Sequence, residues 1–246
     1  FNYPMYLLAH GVTHTMSFAE VSVLSEGEGT WLVAQLLTVK QWFMSGVRAA
    51  LPEPESSLLA GLLLGEKRGL GESLTESFRR AGVIHIIVLS GYNIALVINT
   101  VRDVTARFLS RNTALGVSGV VAILFMIMTG ASETAVRATL MALVVLLAKA
   151  LYRPAAGVRI LLVVAAAMAV WNPYLVLFDL SYQLSILATL GLIVLSEPLV
   201  PYLTWLRSKS LIDIVSTTLA TQIAVLPLLI ISIGQVSLVS LVANVL

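Results

Sequence analysis

Six stretches of this chain, at residues 83–101, 113–129, 134–151, 157–171, 175–195 and 211–233, are apolar over lengths near the roughly 20 residues that a bilayer core demands of a helix. In lipid every backbone donor and acceptor must find its partner inside the segment, so such runs fold as helices. Composition agrees. Hydrophobic residues make up 58% of the chain and charged residues 11%, against about a quarter charged in a soluble domain. The expectation is a polytopic membrane protein. The absence of cysteine excludes disulfides, thiolate metal ligation and thiol catalysis. A net charge of +2 is small, and a pI near 9.0 fits the basic loops of a membrane protein at least as well as a nucleic-acid partner. The chain starts at Phe1 and stops at Leu246 inside an apolar run, so both ends are expected to continue in a longer protein.

Loop charges predict an orientation. Arg102, Arg107 and Arg111 follow the first span; Lys149, Arg153 and Arg159 surround the third loop; Arg207 and Lys209 lie in the fifth. The alternate loops hold almost none. The positive-inside rule then puts the charged loops in the cytoplasm and the amino-terminal region outside. Lys67, Arg68, Arg79 and Arg80 run against that rule, partly offset by Glu66, Glu72 and Glu76.

Ahead of the spans, an alternating run at residues 15–24 predicts one or two strands. Residues 31–51 have apolar side chains at helical spacing, as in an interfacial amphipathic helix. Pro52 and Pro54 end it, residues 55–57 offer a cap-like start, and Leu58 to Leu64 forms a short apolar helix that Gly65 stops. Gly61, Gly65, Gly69, Gly71, Gly82 and Gly91 break the backbone too often for an ordinary spanning helix. Broken helices at membrane depth persist only where protein or a watery cavity surrounds them. A pore or binding cavity is therefore expected. Residues 72–80 form a further amphipathic helix, and 236–246 a re-entrant piece or the start of another span. No internal repeat supports an inverted-repeat transporter.

The same stretch carries a family resemblance. LLAGLLLGEKRGL followed by FRRAGVIHIIVLSGYNI closely resembles the competence domain of ComEC-type DNA-uptake proteins. ETAVRATLM from Glu133, Asn172-Pro173, DLSYQLS from Asp179 and the tail from Pro227 to Asn244 follow in the family's order and approximate spacing. FNYPMYLLAHGV at the start is similar to the segment that closes the family's extracytoplasmic OB-like domain. The resemblance implies a bacterial inner-membrane channel through which single-stranded DNA enters the cytoplasm during natural transformation. Implied partners are an extracytoplasmic DNA-binding receptor and a cytoplasmic helicase-like protein. Many such proteins add a metallo-β-lactamase-like domain that handles the non-transported strand. No HxHxDH motif occurs here, and His10, His14 and His85 are isolated in sequence, so no metal, cofactor or enzymatic activity is expected of this chain.

A charge near the bilayer centre costs about 2.5–3.5 kcal/mol on insertion scales, so polar residues within spans mark the interior. Glu133 and Arg137 are four apart and predict an ion pair on one helix face; the functional alternative has Glu133 positioning Arg137 for a phosphate. Asp179 with Gln183, and Ser181 with Ser185, repeat that spacing in the fifth span, either as interhelical hydrogen bonds or as a wetted pore wall. His85, Ser90, Gly91 and Asn93 open the first span. A His–Ser catalytic pair is disfavoured there, because residues five apart are rotated by about 140° on a helix. Arg79 and Arg80 could draw a polyanion to the mouth or sit among lipid headgroups. The residues carried over as a substrate path are Arg80, His85, Ser90, Gly91, Asn93, Arg137, Asp179, Gln183, Ser185 and Asn244, with Gly65, Gly82 and Asn172 as structural turns.

The sequence reading is an all-α polytopic membrane bundle of about six or seven transmembrane helices with re-entrant and amphipathic helices and a small amino-terminal β remnant. It divides into the end of an OB-like domain (1–29), amphipathic and re-entrant helices (30–82) and a channel domain (83–246). The proposed partners are single-stranded DNA and membrane lipids, and a homo-oligomer is compatible with this arrangement. The competing reading is a small-molecule or lipid transporter built on the same broken helices.

Overall fold

The computed structural model describes residues 2–18, 22, 29–65, 71–80, 91–206 and 208–233. Its helices are α1 (Tyr3–Ala9), α2 (Trp31–Ala50), α3 (Glu55–Leu64), α4 (Glu72–Arg80), α5 (Gly91–Thr105), α6 (Arg111–Met128), α7 (Glu133–Ala150), α8 (Gly157–Trp171), α9 (Tyr174–Phe178), α10 (Leu180–Leu199) and α11 (Lys209–Ile233), with a 3-10 turn at Val200–Leu203. Local chemistry sets several of these boundaries. The side chains of Ser110, Ser132 and Asp179 cap α6, α7 and α10 by accepting from the backbone N–H of Thr113, Ala135 and Ser181, which pairs donors that a helix start otherwise leaves open. Gly65 ends α3 at φ +68°, a left-handed conformation that glycine adopts without the Cβ penalty.

Among the described residues, three helices are long and apolar enough to cross a membrane: Arg111–Met128, Leu180–Leu203 and Lys209–Ser232. That is fewer than the six or seven expected from the sequence. α7 has the length but holds Glu133, Arg137 and Lys149, and α8 is a shorter apolar helix of 15 residues, about 22 Å long. The expected span at 175–195 is divided: α9 ends at Phe178, Asp179 is extended, and α10 starts at Leu180. No strand occurs among the described residues, so the β remnant is not found; residues 12–18 are loop, and much of 19–28 lies outside the description. The turn is also differently made before α3, where the Glu53 carboxylate accepts from the Ser57 N–H at 3.3 Å.

Three packed cores hold the helices together. α5, α6 and α7 meet around Ile94, Ile98, Leu115, Ala122, Ala135 and Leu146. α1, α8, α9 and α10 share Ala9, Val164, Met168, Leu175 and Tyr182. α2 and α3 bring Met44, Ala60 and Leu64 against Phe125 and Met128 of α6, while α2 leaves Trp31 and Trp42 exposed as an interfacial helix would. α10 and α11 pack closely at Gly191, where an added Cβ would collide with the Ala224 side chain and lie 2.7 Å from the Ala220 carbonyl oxygen. Small residues allow such backbone approach where lipid offers no hydrophobic drive. At one end of the bundle the Arg111 guanidinium donates to the Lys149 carbonyl at 2.7 Å and lies 4.2 Å from the Tyr152 ring centroid. These contacts bring the first and third loops together at that end.

Candidate functional site

At the other end of α7, an 18-residue helix about 27 Å long, polar residues from four segments converge. Glu133 opens α7 just after the Ser132 cap. Asp179 caps α10, with its Oδ1 accepting from the Ser181 N–H at 2.7 Å. His10 follows α1, and its Nε2 lies 3.1 Å from Glu133 Oε1. The expected Glu133–Arg137 ion pair is therefore not what forms. Helical spacing puts the two on one face, but the α1 turn brings an imidazole to the carboxylate from over 120 residues away.

Asn172 closes the same end. Its side-chain amide donates to the Ala9 carbonyl at 2.7 Å, and its oxygen accepts from the Tyr174 N–H at 3.1 Å. Expected as a structural turn, it also ties the amino-terminal helix to the α8–α9 corner. Gln183 turns back to donate to the carbonyls of Val176 and Leu177, at 2.8 and 3.2 Å. It thereby satisfies carbonyls at the end of α9, which the helix itself cannot pair. Ser185 is half-buried, and its carbonyl accepts from Thr189 Oγ1. Asp179 and Gln183 are thus joined to the break between α9 and α10 rather than to one continuous polar helix face.

One turn into the bundle, Arg137 is 3% exposed. Its Nη1 has no hydrogen-bond partner, and its guanidinium carbon lies 6.0 Å from the Tyr182 ring centroid. Tyr182 in turn donates to the Ala165 carbonyl at 2.9 Å. Thr139 Oγ1 is likewise buried without a partner. Buried polar atoms are normally paired, so these two stand out within the bundle interior. Asn93, half-buried, donates its amide to the Leu62 carbonyl and anchors α5 to α3. Gly91 starts α5, and an added Cβ there would touch Ala138 at 3.4 Å. His85, Ser90, Gly82 and Asn244 lie outside the described residues, as does the Arg80 side chain. A separate cleft of about 280 Å³ between α2, α3, α5 and α6 is almost wholly apolar, lined by Phe43, Leu64, Leu96 and Phe125 with Lys40 and Asn93 at its polar points.

A family model described as Competence protein matches residues 62–246. The chain belongs to the competence protein family. ComE operon protein 3 of Bacillus subtilis (strain 168) is 24% identical over 250 residues, an alignment covering 100% of this chain and 31% of that relative. The chain therefore spans about a third of that relative's length. No solved structure matches it. The competence match contains α5 to α11 whole, and with them Arg137, Asn172, Asp179 and Gln183. His10 stands before it. Sequence reading assigned His10 no role because the isolated histidines make no HxHxDH motif; the signal was its place in the FNYPMYLLAHGV resemblance.

Proposed function

We propose that this chain is the membrane-channel portion of a competence protein and passes single-stranded DNA through the bacterial inner membrane. The observation that carries the reading is the competence match across residues 62–246, which takes in every helix able to span. The bundle interior is in keeping with it: Arg137 presents an unpaired donor of the kind that recognises a phosphate. In this reading α5, α7 and α8 complete a multi-pass domain over about residues 83–246, the arginine-rich loops face the cytoplasm, and residues before α2 lie outside. The channel catalyses nothing itself. An extracytoplasmic receptor delivers DNA, and a cytoplasmic helicase-like protein supplies the pull.

The test is to delete the full gene in its host and follow labelled duplex DNA through surface-bound, extracytoplasmic and cytoplasmic single-stranded pools. The expected outcome is a strain that binds DNA and admits none, restored by the wild-type gene. Unchanged cytoplasmic entry would refute the channel. The apolar cleft of about 280 Å³ favours a second reading, movement of a lipid or other apolar solute. That reading predicts normal DNA entry together with altered lipid distribution between leaflets.

A further inference from the structure

We propose that His10, Glu133 and Asp179 form a binding site for one divalent cation of the zinc or manganese class, which clamps the amino-terminal helix to the ends of α7 and α10. Each residue offers one ligand atom, and the three atoms lie within 4.8 Å of one another. A tetrahedral site with bonds of about 2.1 Å needs ligand atoms roughly 3.4 Å apart. The His10–Glu133 pair already stands at 3.1 Å, so an entering ion has only to draw the set together by about an ångström.

Two further observations point to an ion. Asp179 is wholly buried, and with Oδ1 occupied by the Ser181 N–H, its Oδ2 has no partner. A carboxylate oxygen removed from water and left unpaired is costly, and a bound cation removes that cost. His10 is set for ligation as well. Its Nδ1 lies 2.7 Å from the Tyr6 carbonyl oxygen, and a carbonyl only accepts, so the proton sits on Nδ1. The other ring nitrogen, Nε2, faces Glu133, and an entering cation would take its lone pair in place of any proton held there. A backbone carbonyl holding the far nitrogen is how ligating histidines are commonly oriented. Two carboxylates balance the charge of a divalent ion, and one imidazole with two carboxylates suits zinc or manganese better than magnesium or calcium. The fourth position is left for water.

The ion acts as a brace in this assignment. Its ligands come from the loop after α1, the first turn of α7 and the α9–α10 break, segments that the His10–Glu133 contact, side-chain packing and the Asn172 amide also tie together. The experiment uses the full protein purified in detergent without chelator, as wild type, Asp179→Asn and His10→Gln. His10 is partly exposed, so its variant keeps the test open if Asp179→Asn fails to fold. Elemental analysis is expected to find one equivalent of zinc or manganese fewer per chain in each variant than in wild type. After stripping, Zn²⁺ or Mn²⁺ is expected to raise the wild-type Tm by about 5 °C and to leave both variants unmoved. Equal metal content and equal Tm response in all three proteins would overturn the site. So would a wild-type Tm that neither ion moves.

Discussion

Arg137 is a cation held in the interior, and its Nη1 has no hydrogen-bond partner. Desolvating a guanidinium is expensive unless it is paired, and under the proposed channel a DNA phosphate would be its passing partner. Arg137→Met is expected to cut single-stranded DNA entry at least tenfold at unchanged membrane abundance, with Arg137→Lys retaining part of it, measured by labelled-DNA uptake. Lysine keeps the charge but loses the planar fork. Asn172 makes a different kind of contribution. Asn172→Ala leaves the Ala9 carbonyl without its donor and removes the acceptor for the Tyr174 N–H, an expected loss of about 1–3 kcal/mol, read from thermal unfolding in detergent. Both residues stood out in the sequence as family-motif positions. Their partners did not, because spacing tells which residues share a helix face and says nothing about what arrives from elsewhere. Glu133 shows this: its i,i+4 neighbour was Arg137, yet the imidazole of His10 takes the place beside it.

At the scale of elements, the joint between α10 and α11 is set by the missing side chain at Gly191. A Cβ there collides with Ala224 and the Ala220 backbone, and overpacking of this kind costs about 1–3 kcal/mol. Gly191→Ala is expected to lower the Tm measurably, and Gly191→Leu to prevent stable accumulation in membranes, as scored by immunoblot. Gly65 as a stop was legible because it is a local signal, whereas the caps at Ser110 and Ser132 came from the structure. The break at Asp179 was not legible as a break. The apolar run continues through it, and hydropathy cannot distinguish an acid inside a span from one that caps a second helix. The bounds of α7 and α8 were legible to within a residue, but their standing as spans was not. Hydropathy alone does not say whether a short or charged helix is covered by its neighbours.

For the whole molecule, topology is the open quantity, and the chain offers a direct route to it. It has no cysteine, so single cysteines can be introduced without first removing any. Phe108→Cys and Trp171→Cys both lie at exposed positions. The first is expected to react with a membrane-impermeant maleimide only after the cytoplasmic side is opened, and the second in intact spheroplasts. The reverse pattern would invert the orientation given by the loop charges. The contact from Asn172 to Ala9 spans 163 residues, and it carries a consequence in time. At synthesis rates of about 5–20 residues per second, the amide reaches the ribosome exit roughly 8–33 s after its acceptor. α1 is therefore complete, with its Ala9 face uncovered, well before the α8 and α9 residues that pack against it are made.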